Sequence, residues 1–338
     1  MKLAFTICSN NYLAQAKVLG DTLLKHNAGY KFAIILCDKF SDKIDYSIFK
    51  NFEIIEIDSI NVKGFNELVN NYNIIELNTY IKPFVIRFLF NKYQSDFLFY
   101  LDPDICIYDS LEKIESYFAN DEILITPHIL KPIPFDDKIP SENLFLNFGI
   151  YNLGFIGLKK TKQVDDFLSW WEDKTYNACY DKVHLGLFVD QLWINHVPIF
   201  FKKVKVIKDY GVNYGPWNFH ERQLISERMF ENQDLLIFLH FSNFNFEDIF
   251  SFTKGYNRFE IKSNNHLVAL YNEYMEKISF NNFSLFSSVK SHYSILKEEY
   301  LENLLKEYQQ KNKTKIRNKK IKNFIKQFIP PVLLKLNK

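Results

Sequence analysis

The run Phe97-Leu98-Phe99-Tyr100-Leu101 has no charged or strongly polar side chain, and it ends in Asp102-Pro103-Asp104. A stretch that is apolar throughout, rather than at alternate positions, suits a strand covered on both faces, as in a parallel sheet packed between helices. Ligands of open α/β sheets bind beyond the carboxyl ends of such strands. Asp102 and Asp104 are therefore expected at a ligand crevice, close enough in sequence to share one hard divalent cation through oxygen ligands. The same Asp-Pro-Asp also suits a plain turn at a strand end.

The surrounding pattern extends this picture. Residues 3–8, Phe32–Cys37, Phe52–Ile57, Ile105–Tyr108, Ile123–Thr126, Gly149–Leu158 and Val204–Ile207 read as further strands, with another apolar run at Leu235–Phe241. Between them, apolar residues at helical spacing (Leu13, Ala16, Leu19, Leu23) follow Asn10 and Asn11, which are expected to cap that helix. A second helix is predicted over Ile81–Phe90, with Pro83 in its first turn, and a third over Gln163–Trp171. Lys131–Asn147 is polar and reads as a long loop. The alternation predicts an α/β fold with a doubly wound sheet. Residues 265–308 are mostly helical in pattern.

Length and composition set the bounds. A chain of 338 residues with 47% hydrophobic residues builds one large α/β domain with additions. Four widely spaced cysteines (Cys8, Cys37, Cys106, Cys179) form no zinc pattern and suit free thiols in a reducing compartment. The N-terminal apolar stretch is too short for a signal-peptide core, and no run reaches membrane-spanning length. The expected location is the cytoplasm, including the cytoplasmic face of the inner membrane. Of 42 Lys and Arg residues, ten fall in 311–338, which has no Asp or Glu. Residues 1–310 thus carry 32 cations against 40 carboxylates. A body with that balance is not a nucleic-acid binder.

Polar groups gather at the ends of the apolar runs: Asp102 and Asp104, Asn152-Leu153-Gly154, Asp190-Gln191, and His240-Phe241-Ser242-Asn243. Each alone has an ordinary explanation, such as a cap, a close backbone approach or a satisfied histidine. Their shared placement allows one crevice to collect them.

In this order the chain resembles nucleotide-sugar-dependent glycosyltransferases of the GT-A fold. The motifs are Cys8-Ser9-Asn10-Asn11-Tyr12, Thr79-Tyr80-Ile81-Lys82, Tyr100-Leu101-Asp102-Pro103-Asp104-Ile105, Tyr151-Asn152-Leu153-Gly154, Asp190-Gln191 and His240-Phe241-Ser242. The similarity is to family 8, which includes bacterial lipopolysaccharide galactosyltransferases and glycogenin. It extends to a bacterial subgroup with runs like Thr126-Pro127-His128, Trp170-Trp171 and Trp217-Asn218-Phe219-His220-Glu221-Arg222. The resemblance covers roughly residues 1–260. It implies a GT-A catalytic domain over 1–260, after which the helical pattern is expected to form an extension over 261–310 and the charge run a basic tail over 311–338.

The resemblance also implies roles. Asp102, Asp104 and His240 would bind Mn²⁺ or Mg²⁺ bridging the donor diphosphate, the metal acting as Lewis acid and template. Thr6, Ser9, Asn11 and Tyr12 match the nucleoside-binding region, and Tyr12 can stack on a base. Lys82 falls where the family often has an Arg that contacts the donor. Asn152, Gly154 and the Asp190-Gln191 pair match residues lining the donor sugar. The family's Lys in its His-x-x-Gly-x-x-Lys segment is absent here, so Arg222 or Arg258 is expected to supply the missing phosphate contact. The implied donor is UDP-linked, the implied sugar a hexose, and the implied outcome retention. An inverting enzyme would need a carboxylate base, for which Asp190 and Glu221 are candidates. The other alternative is a non-catalytic glycan- or nucleotide-binding protein on the same scaffold.

The tail, Lys311–Lys338, mixes its ten cations with Ile316, Ile321, Phe324, Ile325, Phe328 and Ile329 before Pro330-Pro331. A basic amphipathic segment of this kind reads as an anchor to an anionic membrane surface. A glycan, lipid-linked or lipopolysaccharide-type acceptor would fit that placement.

Overall fold

A computed structural model describes residues 1–311 of the chain. The tail expected at the membrane lies, from residue 312 on, outside the described residues. A seven-stranded sheet forms the centre. Its members are β1 (Lys2–Cys8), β2 (Tyr30–Leu36), β3 (Glu53–Glu56), β4 (Phe97–Leu101), β6 (Ile123–Pro127), β7 (Tyr151–Lys159) and β10 (Val204–Val206). Three-residue β5 (Ile105–Ile107) pairs antiparallel with β11 (Phe238–His240), and β8 (Asp181–Lys182) with β9 (Leu187–Phe188). The order across the sheet is β10-β6-β7-β4-β1-β2-β3, parallel except for β7, which runs against both its neighbours.

Both faces of the sheet are covered, as the apolar run of β4 requires. Along β1, Leu3, Phe5 and Ile7 enter one core, together with the helices Lys82–Tyr93 and Lys162–Ala178. Ala4 and Cys8 enter the other, under the helix Leu13–His26. Pro83 sits in the first turn of its helix, where a missing N–H costs nothing. A third core lies beneath the helix Asn265–Phe280, where Tyr274 stacks on Phe241 with ring centroids 3.7 Å apart. The later helices Phe283–Ser287 and His292–Lys311 contribute Phe286 and Tyr293 to the first two cores. The C-terminal helical segment thus packs into the body of the sheet.

Two local expectations are corrected. Asn10 and Asn11 do not cap the first helix. They form a 3₁₀ turn, and Tyr12 precedes the helix without a side-chain cap. The Asn10 amide is committed elsewhere, donating to Asp38 at 3.0 Å and to the Lys39 carbonyl at 2.8 Å. The polar stretch Lys131–Asn147 is not loop throughout, because its end folds as the helix Glu142–Phe148 with Phe145 buried.

The strand order reverses between β1 and β4. From β1 the chain proceeds outward through β2 and β3, while β4 lies on the other side. Such a reversal opens a crevice beyond the carboxyl ends of the two strands. Residues 9–12 and 102–104 emerge there.

Candidate active site

The cluster at this crevice is assembled by two ladders. Pro103 turns the chain out of β4, and β5 starts directly after Asp104. In the β5–β11 ladder Ile105 pairs with His240, so the last residue of β11 arrives beside the aspartates. The Phe241 amide donates to the Asp104 carbonyl at 2.9 Å and the Asp102 amide to the Gly154 carbonyl at 2.8 Å. His240 Nε2 then lies 3.0 Å from Asp104 Oδ1 and 3.7 Å from Asp102 Oδ2. One ligand atom from each residue falls within 4.8 Å of the others. The aspartate side chains are 31% and 23% exposed, whereas His240 is 4% exposed. The carboxylates face the crevice and the imidazole forms its floor.

Gly154 makes this approach possible. A Cβ at that position would stand 2.3 Å from His240 Cε1 and 2.9 Å from Asn152 Oδ1. The register of β6 against β7 shifts here, with Ile125 opposite Ile156 but Thr126 opposite Asn152. This bulge turns the Asn152 amide onto His128, Asn213 and the Gly154 N–H, behind His240. It is the structural meaning of the polar interruption in an otherwise apolar strand.

A buried ionic layer lies behind the aspartates. Lys82 Nζ is 2.7 Å from Asp190 Oδ2, and both side chains are 2% exposed. The ammonium also donates to the Leu153 carbonyl at 3.3 Å and stands 4.2 Å from the Tyr100 ring centroid. The Tyr100 hydroxyl bonds Asp102 Oδ1. Val189, next to Asp190, has φ 39°, a left-handed conformation that a β-branched residue rarely adopts and that sits beside the buried pair.

Electrostatics favours a cation in the crevice. Burial raises the Asp102 carboxyl above the usual range, and Asp104 adds to this, although Lys82 and His240 oppose it. Burial would lower His240, but the Asp104 and Asp102 carboxylates outweigh that and raise it. The Asp102 shift reflects chiefly the loss of water around its carboxyl, and the His240 shift the negative charge crowded beside the imidazole. Asp102, Asp104 and Asp190 bring three carboxylates against the single ammonium of Lys82. A divalent cation held by Asp102, Asp104 and a neutral His240 brings that sum to zero. Two carboxylate oxygens and one imidazole nitrogen suit Mn²⁺ or Mg²⁺ with open positions left for a ligand.

Of the residues expected to bind a nucleoside, Tyr12 is 44% exposed at the crevice. Sheltering of its phenol, with Asp104 and Asp102 adding to it, pushes that group up to about 12. Asn11 is half-buried. Ser9 is buried and accepts from Asn78 at 3.4 Å. Thr6 lies fully buried within β1.

The remaining candidates have other partners. Gln191 uses both ends of its amide, accepting from the Leu153 amide and donating to the Phe148 carbonyl, each at 2.8 Å. Glu221 accepts from the backbone amides of Leu130 and Lys131 at 2.8–3.0 Å and from Arg222 Nε at 3.2 Å. Arg222 is buried and also donates to the carbonyls of Tyr210 and Val212. Arg258 forks onto Asp136 and donates to the Pro140 carbonyl at 2.7 Å. Glu221 and Arg258 therefore clamp the segment 130–140, Arg222 ties Glu221 to the carbonyls of Tyr210 and Val212, and none of the three is brought into the aspartate cluster.

Two contributors were not legible as site residues. Tyr100 looks like a member of an apolar strand, yet it bonds Asp102. Asn213 sits far along the chain in a left-handed conformation (φ 56°), fully buried, with its Oδ1 3.3 Å from His240 Nδ1. An Asn between Gly211 and Gly215 signals only a turn.

No protein-family model matches the chain. It is similar to the uncharacterized protein YfnF of Bacillus subtilis (strain 168), at 23% identity over 244 residues, covering 71% of this chain and 80% of YfnF. Among solved structures it is similar to the glycosyltransferase GlyE of Streptococcus pneumoniae TIGR4, at 14% identity and a TM-score of 0.48. That alignment covers 89% of this chain but 63% of GlyE. The galactosyltransferase LgtC, solved with donor and acceptor sugar analogs, aligns at 13% identity and a TM-score of 0.44, over 81% of this chain and 96% of LgtC.

Proposed function

We propose that this chain is a metal-dependent glycosyltransferase of the GT-A type that takes a hexose from a nucleotide donor, UDP-linked by preference. The observation that carries the reading is the partly open Asp102–Asp104–His240 cluster at the β1/β4 crevice, beside the exposed ring of Tyr12. The ordered motifs of the sequence support it. Asp102, Asp104 and His240 would hold the cation, which when bound screens the charge of a departing nucleoside diphosphate. Tyr12 offers a flat face for a base, and Lys82 with Asp190 backs the donor side of the crevice. The acceptor is a glycan or glycolipid, and the basic tail would keep the body close to an anionic membrane surface.

Retention suits the geometry better than inversion. An inverting reaction needs a carboxylate free to take the acceptor proton. Asp190 is buried against Lys82, and Glu221 is committed to backbone amides and Arg222.

The test is release of UDP from a panel of UDP-hexoses with Mn²⁺, Mg²⁺ or EDTA. The expected result is cation-dependent release for at least one donor, abolished by Asp102→Asn. Binding of nucleotide sugar or glycan without turnover of any donor would favour the non-catalytic alternative.

A further inference from the structure

His240 reaches the cation site with one ring nitrogen, and the fold dictates what the other must do. The direction of each hydrogen bond behind it can be derived from two backbone groups whose roles are fixed. The Gly154 N–H is only a donor, and it meets Asn152 Oδ1 at 3.1 Å. That settles which end of the Asn152 amide is oxygen, so its Nδ2 must donate to His128 Nε2, 3.2 Å away. The Ile150 carbonyl is only an acceptor, 3.2 Å from His128 Nδ1, so His128 carries its proton on Nδ1 and accepts at Nε2, in agreement.

Asn213 follows. One end of its amide lies 3.0 Å from Asn152 Oδ1 and 2.8 Å from Thr126 Oγ1. The first of these partners only accepts, so that end is the NH₂ group, and both its hydrogens are used. The other end is the carbonyl oxygen, facing His240 Nδ1 at 3.3 Å. An oxygen there requires a proton on Nδ1. In a neutral imidazole this leaves the lone pair on Nε2, the nitrogen that points at Asp102 and Asp104.

We infer that Asn213 is a positioning residue of the cation site, orienting His240 and holding it in the Nδ1–H tautomer through a one-way chain anchored at Gly154 and Ile150. This rests on the reading of Asp102, Asp104 and His240 as cation ligands. Partners of this kind fix ring orientation and typically govern metal affinity by 10–100-fold. The left-handed backbone at Asn213 costs little for Asn and nothing for Gly, so Asn213→Gly removes the amide without imposing strain.

The experiment is a double-mutant cycle on Mn²⁺ affinity, measured by electron paramagnetic resonance of free Mn²⁺ in the full-length protein without any sugar substrate. Asn213→Gly is expected to weaken Mn²⁺ binding at least tenfold, and His240→Ala to weaken it further. The double variant should bind no worse than His240→Ala alone, because Asn213 acts only through that ring. Thr126→Val, which leaves Asn152 holding the amide in place, should stay within about twofold of the parent. Unchanged affinity in Asn213→Gly, or losses that add in the double variant, would overturn the inference. Mn²⁺ binding that ignores both Asp102→Asn and His240→Ala would instead overturn the site itself.

Discussion

Two acidic clusters in this protein look alike in sequence and do opposite things. Glu221 and Arg222 are neighbours, each 2% exposed, and Glu221 meets three N–H donors while Arg222 spends its own on Glu221 and carbonyls. Charge and hydrogen bonds there are complete. Asp102, Asp104 and His240 are incomplete: two carboxylates crowd one imidazole, open to the crevice, with more negative charge than the surrounding protein balances. A closed and balanced cluster holds a loop. An open cluster with unmatched charge has room for a ligand to complete it.

The sharpest way to break that contrast is to neutralise one member of each. Asp104→Asn is expected to lower donor turnover about 10³-fold or more, since the cation's stabilisation of the leaving group is lost. Its stability without metal should change little, because relief of the repulsion with Asp102 offsets loss of the Asp104–His240 contact. Glu221→Ala should behave in the opposite way. It strands a buried guanidinium and two loop amides, a loss of about 3–5 kcal/mol, with activity falling only in step with the folded fraction. Urea unfolding and turnover measured on both proteins check this. Equal stability losses would erase the distinction.

A smaller effect depends on pH through His128, which the Asn152 amide joins to the hydrogen bonds behind the open cluster. Burial lowers the His128 imidazole to about 4. The unfolded chain, with an ordinary histidine value, then binds the extra proton between about pH 6.5 and 4. Stability is present above that window and is lost as pH falls through it, by up to about 3 kcal/mol. The urea midpoint of the parent should therefore drop on going from pH 7 to pH 5, and His128→Phe should flatten part of that drop. An identical pH profile in the variant would remove His128 as the cause.

Much of the framework was legible because burial leaves a strong mark on sequence. The apolar run of β4, the strand-end aspartates and Pro83 at a helix start all follow from local rules, and each lies where those rules place it. The misreadings share a physical origin. Asn10 carries the residue type of a cap, but a distant carboxylate, Asp38, offers its amide a better set of partners. Phe145 turns the end of a polar loop into a helix because it finds a buried place against His128 and Trp217. Asn213 was invisible for the same reason. Its role depends on Asn152 and His240, 61 and 27 residues away, and no local pattern encodes such a meeting.

The smallest effect concerns the cation that would complement a diphosphate in place of the absent lysine. Arg258 and Arg222 were the sequence candidates, and they now differ. Arg222 is sealed in the closed cluster, and releasing it would leave Glu221 buried and unpaired. Arg258 is 7% exposed and also donates to the Pro140 and Lys138 carbonyls, but its charge partner Asp136 is 35% exposed, so solvent screens the ion pair. Arg258→Ala should cost about 1–3 kcal/mol in stability, less than Glu221→Ala. If the arginine serves only to tie down residues 136–140, UDP binding in the presence of Mn²⁺, followed by calorimetry, should remain within about twofold. A tenfold weakening, about 1.4 kcal/mol, would mean that Arg258 exchanges Asp136 for phosphate when the donor arrives. The segment around Phe135, fully exposed at its tip, would then be released by the same event that fills the crevice, and the closed part of the molecule would be coupled to the open one.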